Sequence, residues 1–197
     1  MMTGHLSTLA DLSGRGRVIT IAAWVGAIIV VTHFNIAVEA PITEAISGYI
    51  TVTFLLLLAI IDYKTHTLPN IILLAWLGCR VALIFAGIAI EGTFEILINS
   101  AFGAVAMGVI FLAMYYISKR SLGGGDVKLS FVMGLSLMLS MVFSAVFLAL
   151  VLCALFSLGA LALKKLTRKD PVPLGPFFFA GTVAAYILPL IGGQFLV

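Results

Sequence analysis

The chain of 197 residues is 62% apolar and 10% charged, with a net charge of +3 and a mean hydropathy of +1.24. Soluble domains are about 45–50% apolar and about 25% charged, so a water-soluble domain of this length is excluded and lipid must be the solvent for most of the surface. Nucleic acid is not an expected partner, because the basic residues lie between apolar runs, where they write membrane topology.

Apolar runs fall at 18–38, 46–61, 70–90, 96–118, 129–139, 141–163 and 177–196. Arg15 and Arg17 ahead of the first imitate a secretory signal. The run is longer than a signal core, however, and its small-residue exit, Val38-Glu39-Ala40, meets Pro41. It reads as the first spanning helix, with residues 1–17 as a cytoplasmic tail and 18–197 as the membrane domain. The runs show no strand alternation. The expected fold is therefore all-α, a polytopic transmembrane helix bundle in which each helix satisfies its own backbone. Cys79 and Cys153 each lie in an apolar run with no CxxC pair, so they read as small hydrophobes and no metal site is expected.

The connectors give an orientation. Arg15 and Arg17 place the N-terminus in the cytoplasm. Glu39 and Glu44 lie outside, Lys64 inside, Glu91 and Glu95 outside, and Lys119, Arg120 and Lys128 inside. Lys164, Lys165, Arg168 and Lys169 form a further inside cluster, so an even number of crossings must separate the last two connectors. The apolar stretch between them divides into a short segment, 127–139, and a full one, 141–163. At 1.5 Å per residue the short one reaches about 20 Å against a core of about 30 Å. Six full spans plus one short or broken segment are expected.

Two acids border this apolar chain. Asp62 follows Leu58-Ala59-Ile60-Ile61, and Asp126 follows Gly123-Gly124-Gly125. Acids at membrane depth are costly and mark function, although a boundary carboxylate also serves as a solvated helix end. The topology brings both to the cytoplasmic edge. Two neighbouring carboxylates cannot both ionise, so one holds a proton while the other acts as base, which suits attack of water on an amide. Three glycines make a poor helix start; they can take positive φ and offer exposed backbone to an extended substrate, or form a flexible loop.

The segment Asp62-Tyr63-Lys64-Thr65-His66-Thr67-Leu68-Pro69-Asn70 resembles the first aspartate motif of the type IV prepilin peptidases. Gly123-Gly124-Gly125-Asp126-Val127-Lys128-Leu129 is similar to that family's Gly-x-Gly-Asp-x-Lys-Leu motif, and Pro173-Leu174-Gly175-Pro176-Phe177 to the element opening its last helix. The resemblance implies an intramembrane aspartyl protease of the GxGD type with Asp62 and Asp126 catalytic. Its partners would be prepilin, pseudopilin or preflagellin-like precursors, cut beside a hydrophobic helix at the cytoplasmic face of the cell membrane. Lacking paired CxxC motifs, the chain resembles the short members without the cysteine-rich methyltransferase region, so no cofactor is expected. Presenilin-like proteases share Gly-x-Gly-Asp, but Leu68-Pro69-Asn70 speaks against them.

Around the pair, Lys128 reads as a headgroup anchor or as a charge tuning the dyad. Pro69 and Asn70 set the turn and begin the next helix, with Pro at its first position. His66 is a loop residue with no assigned role. Arg80, near the middle of 70–90, needs an aspartate or a substrate acid as partner, or else snorkels along a tilted helix. Two rival functions are a proton-coupled secondary transporter using the same acids, although its site belongs at the midplane between repeats, and a non-catalytic assembly subunit.

Overall fold

The computed structural model describes residues 14–118, 122–137, 139–164, 167 and 170–192, and among these every regular element is an α-helix. The helices are α1 (Gly14–Ala37), α2 (Ile42–Thr65), α3 (Asn70–Glu91), α4 (Glu95–Ile117), α5 (Gly124–Ser136), α6 (Leu139–Ala162) and α7 (Gly175–Gly192). Their order matches the apolar runs. Five of them, α1 to α4 and α6, are long and apolar enough to cross a membrane, while α7 has a shorter apolar stretch and α5 only 13 residues. Lys119, Arg120, Lys165, Arg168 and Lys169 lie outside the described residues, as do 1–13 and 193–197.

Local chemistry explains the boundaries. Pro41 and Pro69 flank the starts of α2 and α3, and Gly92 ends α3 in the left-handed conformation (φ 70°), its N–H bonded to Ile88 O at 3.0 Å. Pro69 stands one position earlier than expected, as the capping residue, with Asn70 the first helical residue. Two further differences bear on the site. First, α2 continues through Thr65, one turn beyond the apolar run. Asp62 is therefore inside the helix rather than at its tip. Second, α5 begins at Gly124, so Gly124 and Gly125 belong to its first turn. None of Gly123, Gly124 and Gly125 has positive φ. The expected open glycine strand is a helix start instead, because Asp126 N–H closes the turn onto Gly123 O at 3.0 Å.

Helix α2 is central: half of its spanning window is buried, against 17% for α1 and 28% for α3, α4 and α6. It packs on α1, α3, α5 and α7. Val52, Leu55 and Leu58 from α2 meet Trp76, Phe111, Met133 and Phe178 in one core, while residues such as Phe85, Phe147 and Leu158 face outward. With no hydrophobic drive between helices in lipid, close approach depends on small residues. A Cβ at Gly103 of α4 would overlap the Gly134 carbonyl of α5, and one at Gly181 of α7 would overlap Ala145 and Ala149 of α6.

Arg80 is 3% exposed and pairs with Glu44 at 2.9 Å. It also donates to Ser100 Oγ and to Leu135 O, each at 2.8 Å. Its partner is therefore an acid in the first turn of α2, not Asp62, Asp126 or an interface reached by snorkelling. Glu44 itself lies within a helix and not in a connector.

Candidate active site

The connection from α2 to α3 is built around Asp62. His66 adopts the left-handed conformation (φ 50°), costly for a residue with a Cβ, and its N–H closes onto Asp62 O at 2.8 Å. Thr65 Oγ1 bonds Ile61 O at 2.8 Å and lies 2.8 Å from the Thr67 hydroxyl. The chain thus turns back sharply, and Leu68 comes to rest on Gly125, where a Cβ would stand 3.0 Å from Leu68 Cβ. This contact joins the two aspartate motifs, and it gives Gly125 a steric reason to lack a side chain.

Asp62 is 5% exposed, and its Oδ2 accepts the Gly175 N–H at 2.8 Å. Gly175 opens α7 against α2 so closely that a Cβ would lie 3.0 Å from Asp62 Cβ and 3.2 Å from Ala59 Cα. The Pro173–Phe177 motif therefore supplies a backbone donor to the first aspartate. Reading the motif only as a helix start had missed that partner; its glycine between two prolines was the available clue.

Asp126 sits in the first turn of α5, partly buried, beside the Gly123 backbone. Burial pushes its carboxyl up from 3.8 to about 6, the Asp62 charge adds to the rise, and a Gly123 backbone hydrogen bond opposes it. Asp62 and Asp126 line one cavity of about 400 Å³ together with His66, Leu68, Gly123, Gly124 and Gly125. Both also border a second space of about 550 Å³ on the side of Pro171, Leu174 and Cys153. His66, given no role from sequence, faces both spaces. Lys128 Nζ donates to Asn70 Oδ1 at 2.9 Å, tying the first turn of α5 to that of α3. That bond assigns a use to both residues beyond a headgroup anchor.

A bundle of apolar helices with two partly or fully buried carboxylates on a shared cavity defines a multi-pass membrane protein with an acid–base site. Residues 49–158, more than half of the chain, match the type IV leader peptidase family, and the chain belongs to that family. It is 28% identical over 144 residues to the prepilin leader peptidase/N-methyltransferase of Bacillus subtilis (strain 168), covering 73% of this chain and 56% of that protein. The chain thus spans a little over half the length of this curated relative. No solved structure matches. Membership of a peptidase family does not favour the transporter alternative.

Proposed function

We propose that this protein is an aspartic endopeptidase of the cell membrane that removes the basic leader from prepilin or pseudopilin precursors at the cytoplasmic face, with Asp62 and Asp126 as its catalytic pair. The observation that carries this reading is the meeting of the two acids, from helices 64 positions apart, on one cavity. The relative's name supplies the substrate class. The cytoplasmic assignment is supported by charge: Lys64 and Lys128 lie at the dyad end, and Glu44, Glu91 and Glu95 at the other.

The roles divide by environment. Asp62 accepts a backbone N–H, which favours its ionised form. Asp126, its carboxyl raised to about 6, keeps a proton more readily. Water between them loses a proton to Asp62 as its oxygen attacks the scissile carbonyl carbon. Asp126 gives its proton to the carbonyl oxygen, and a proton from the pair then reaches the departing amine as the C–N bond breaks. An apolar groove of about 730 Å³ between α3, α4 and α5, bordered by Leu77, Val109 and Phe131, reaches the dyad cavity at Asn70 and Lys128. It offers the substrate's hydrophobic segment a place beside the scissile bond.

Co-expression with a precursor bearing a basic leader, followed by gel analysis of leader removal, tests the proposal. Asp62→Asn and Asp126→Asn should each slow processing by at least about 10²-fold. Wild-type processing by either variant overturns the dyad mechanism.

A further inference from the structure

Helix α5 stops inside the bundle. Its 13 residues rise about 20 Å, against an apolar layer of about 30 Å. Its last carbonyls therefore have no following turn to satisfy them and no water nearby. Leu137 N–H takes Met133 O at 2.9 Å. The next two are met from other helices: Leu135 O by Arg80 Nε at 2.8 Å, and Ser136 O by the Ser47 hydroxyl at 3.2 Å. Arg80 also places positive charge at the negative end of the α5 dipole. Its own charge is balanced by Glu44, and Ser100 adds a further acceptor. One buried guanidinium thus binds α2, α4 and α5 from its seat on α3.

The opposite end of this short helix carries Asp126, nine residues or about 14 Å from Leu135. A helix of two to four turns is stiff, so wherever its carbonyl end is fixed, its first turn is fixed too. The Gly103–Gly134 contact sets how closely α4 and α5 approach. Having no side chains, that contact does little to stop one helix sliding along the other. The directional bonds to Leu135 and Ser136 do stop it.

We infer that Arg80, with Ser47, is a positioning residue that sets the axial register of α5 and so the alignment of Asp126 with Asp62. This rests on the reading of the two aspartates as the catalytic pair. Arg80 touches neither carboxylate and acts only through α5. Displacement of a reacting group by about 1 Å can cost about 10²-fold in rate, so the effect belongs in turnover rather than in substrate binding.

The test uses the full chain in detergent or vesicles, with a cleavable precursor. The double variant Arg80→Met with Glu44→Met removes both charges, leaving no unpaired ion in the bundle. It should melt close to the wild type while kcat falls about 10- to 100-fold and KM stays within about threefold. A second readout is the pH profile. The titratable groups around Asp126 are Asp62 on α2, His66 after it, Lys128 on α5 and Cys153 on α6. With α5 displaced, the Asp62 charge presses less on Asp126, and the alkaline limb of kcat moves to lower pH. Ser47→Ala, which removes one neutral hydroxyl, gives a milder version: kcat down about twofold or more, KM unchanged, and the limb shifted in the same direction.

Wild-type kcat and pH profile in both variants overturn the positioning role. So does a loss of activity that only tracks the loss of folded protein. If Asp62→Asn and Asp126→Asn remain inactive in that case, the peptidase reading survives; if they too cleave, it falls along with the inference.

Discussion

The two ends of α5 treat buried charge in opposite ways. At its carbonyl end, Arg80 meets an acid, a hydroxyl and a carbonyl, so opposite charge and hydrogen bonds together offset the cost of leaving water. At its amide end, two carboxylates share a cavity with a single backbone N–H on Asp62 and no cation printed against either acid's oxygens. The first arrangement stabilises one geometry. The second leaves proton affinity displaced and room for water and substrate between the groups, the usual mark of a site kept for chemistry. A protein that must hold a half-length helix at membrane depth closes one end so that the other can remain open.

Single substitutions at the closed end should break this contrast most severely. Arg80→Met alone leaves Glu44 buried without its cation, and loss of one partner of a buried pair costs about 3–5 kcal/mol. Thermal melting in detergent should fall sharply, and more than in the double variant. Equal melting of the single and double variants would mean that the pair is hydrated and not part of the closure.

The open end should respond differently. Gly175→Ala pushes a methyl group toward Asp62 and the Ala59 backbone and moves the Gly175 N–H from its carboxylate. Activity should drop about 10- to 100-fold, as expected for a misplaced catalytic group, with a stability loss of about 1–3 kcal/mol from overpacking. Comparing cleavage rate with melting temperature checks this: an intact rate would show that the amide is not needed by Asp62.

Much of the closed end could not be read from the chain. The apolar runs set the order of the helices because length and hydropathy are local properties, and the short α5 followed from counting crossings. The aspartates were legible because each sits in a compact motif. Arg80 was visibly out of place in an apolar run, yet its partner lay 36 positions away in a residue assigned to a connector. A long-range pairing leaves no periodic trace. The glycines illustrate the reverse error: their conformational freedom is real, but a single turn-closing bond onto Gly123 O and the approach of Leu68 to Gly125 decide for a helix start.

The mildest test asks how much of the proton affinity at the open end comes from the second acid. The Asp126 carboxyl is raised from 3.8 to about 6, burial being the larger cause and the Asp62 charge the next. A raised folded-state value means that the native state binds the proton more tightly than the unfolded chain. The resulting stability is fully present below about 3.8 and is lost as pH rises through about 6. The full shift corresponds to at most about 3 kcal/mol, and nearer 1 for a carboxyl partly open to solvent. Melting followed from pH 4 to 8 should therefore decline across that window in the wild type and stay flatter in Asp126→Asn. In Asp62→Asn the decline should persist but begin at lower pH, because the repelling charge is gone while burial remains. An unchanged midpoint in that variant would mean that the two carboxylates do not sense one another, and the contrast between the ends of α5 would lose its acidic half.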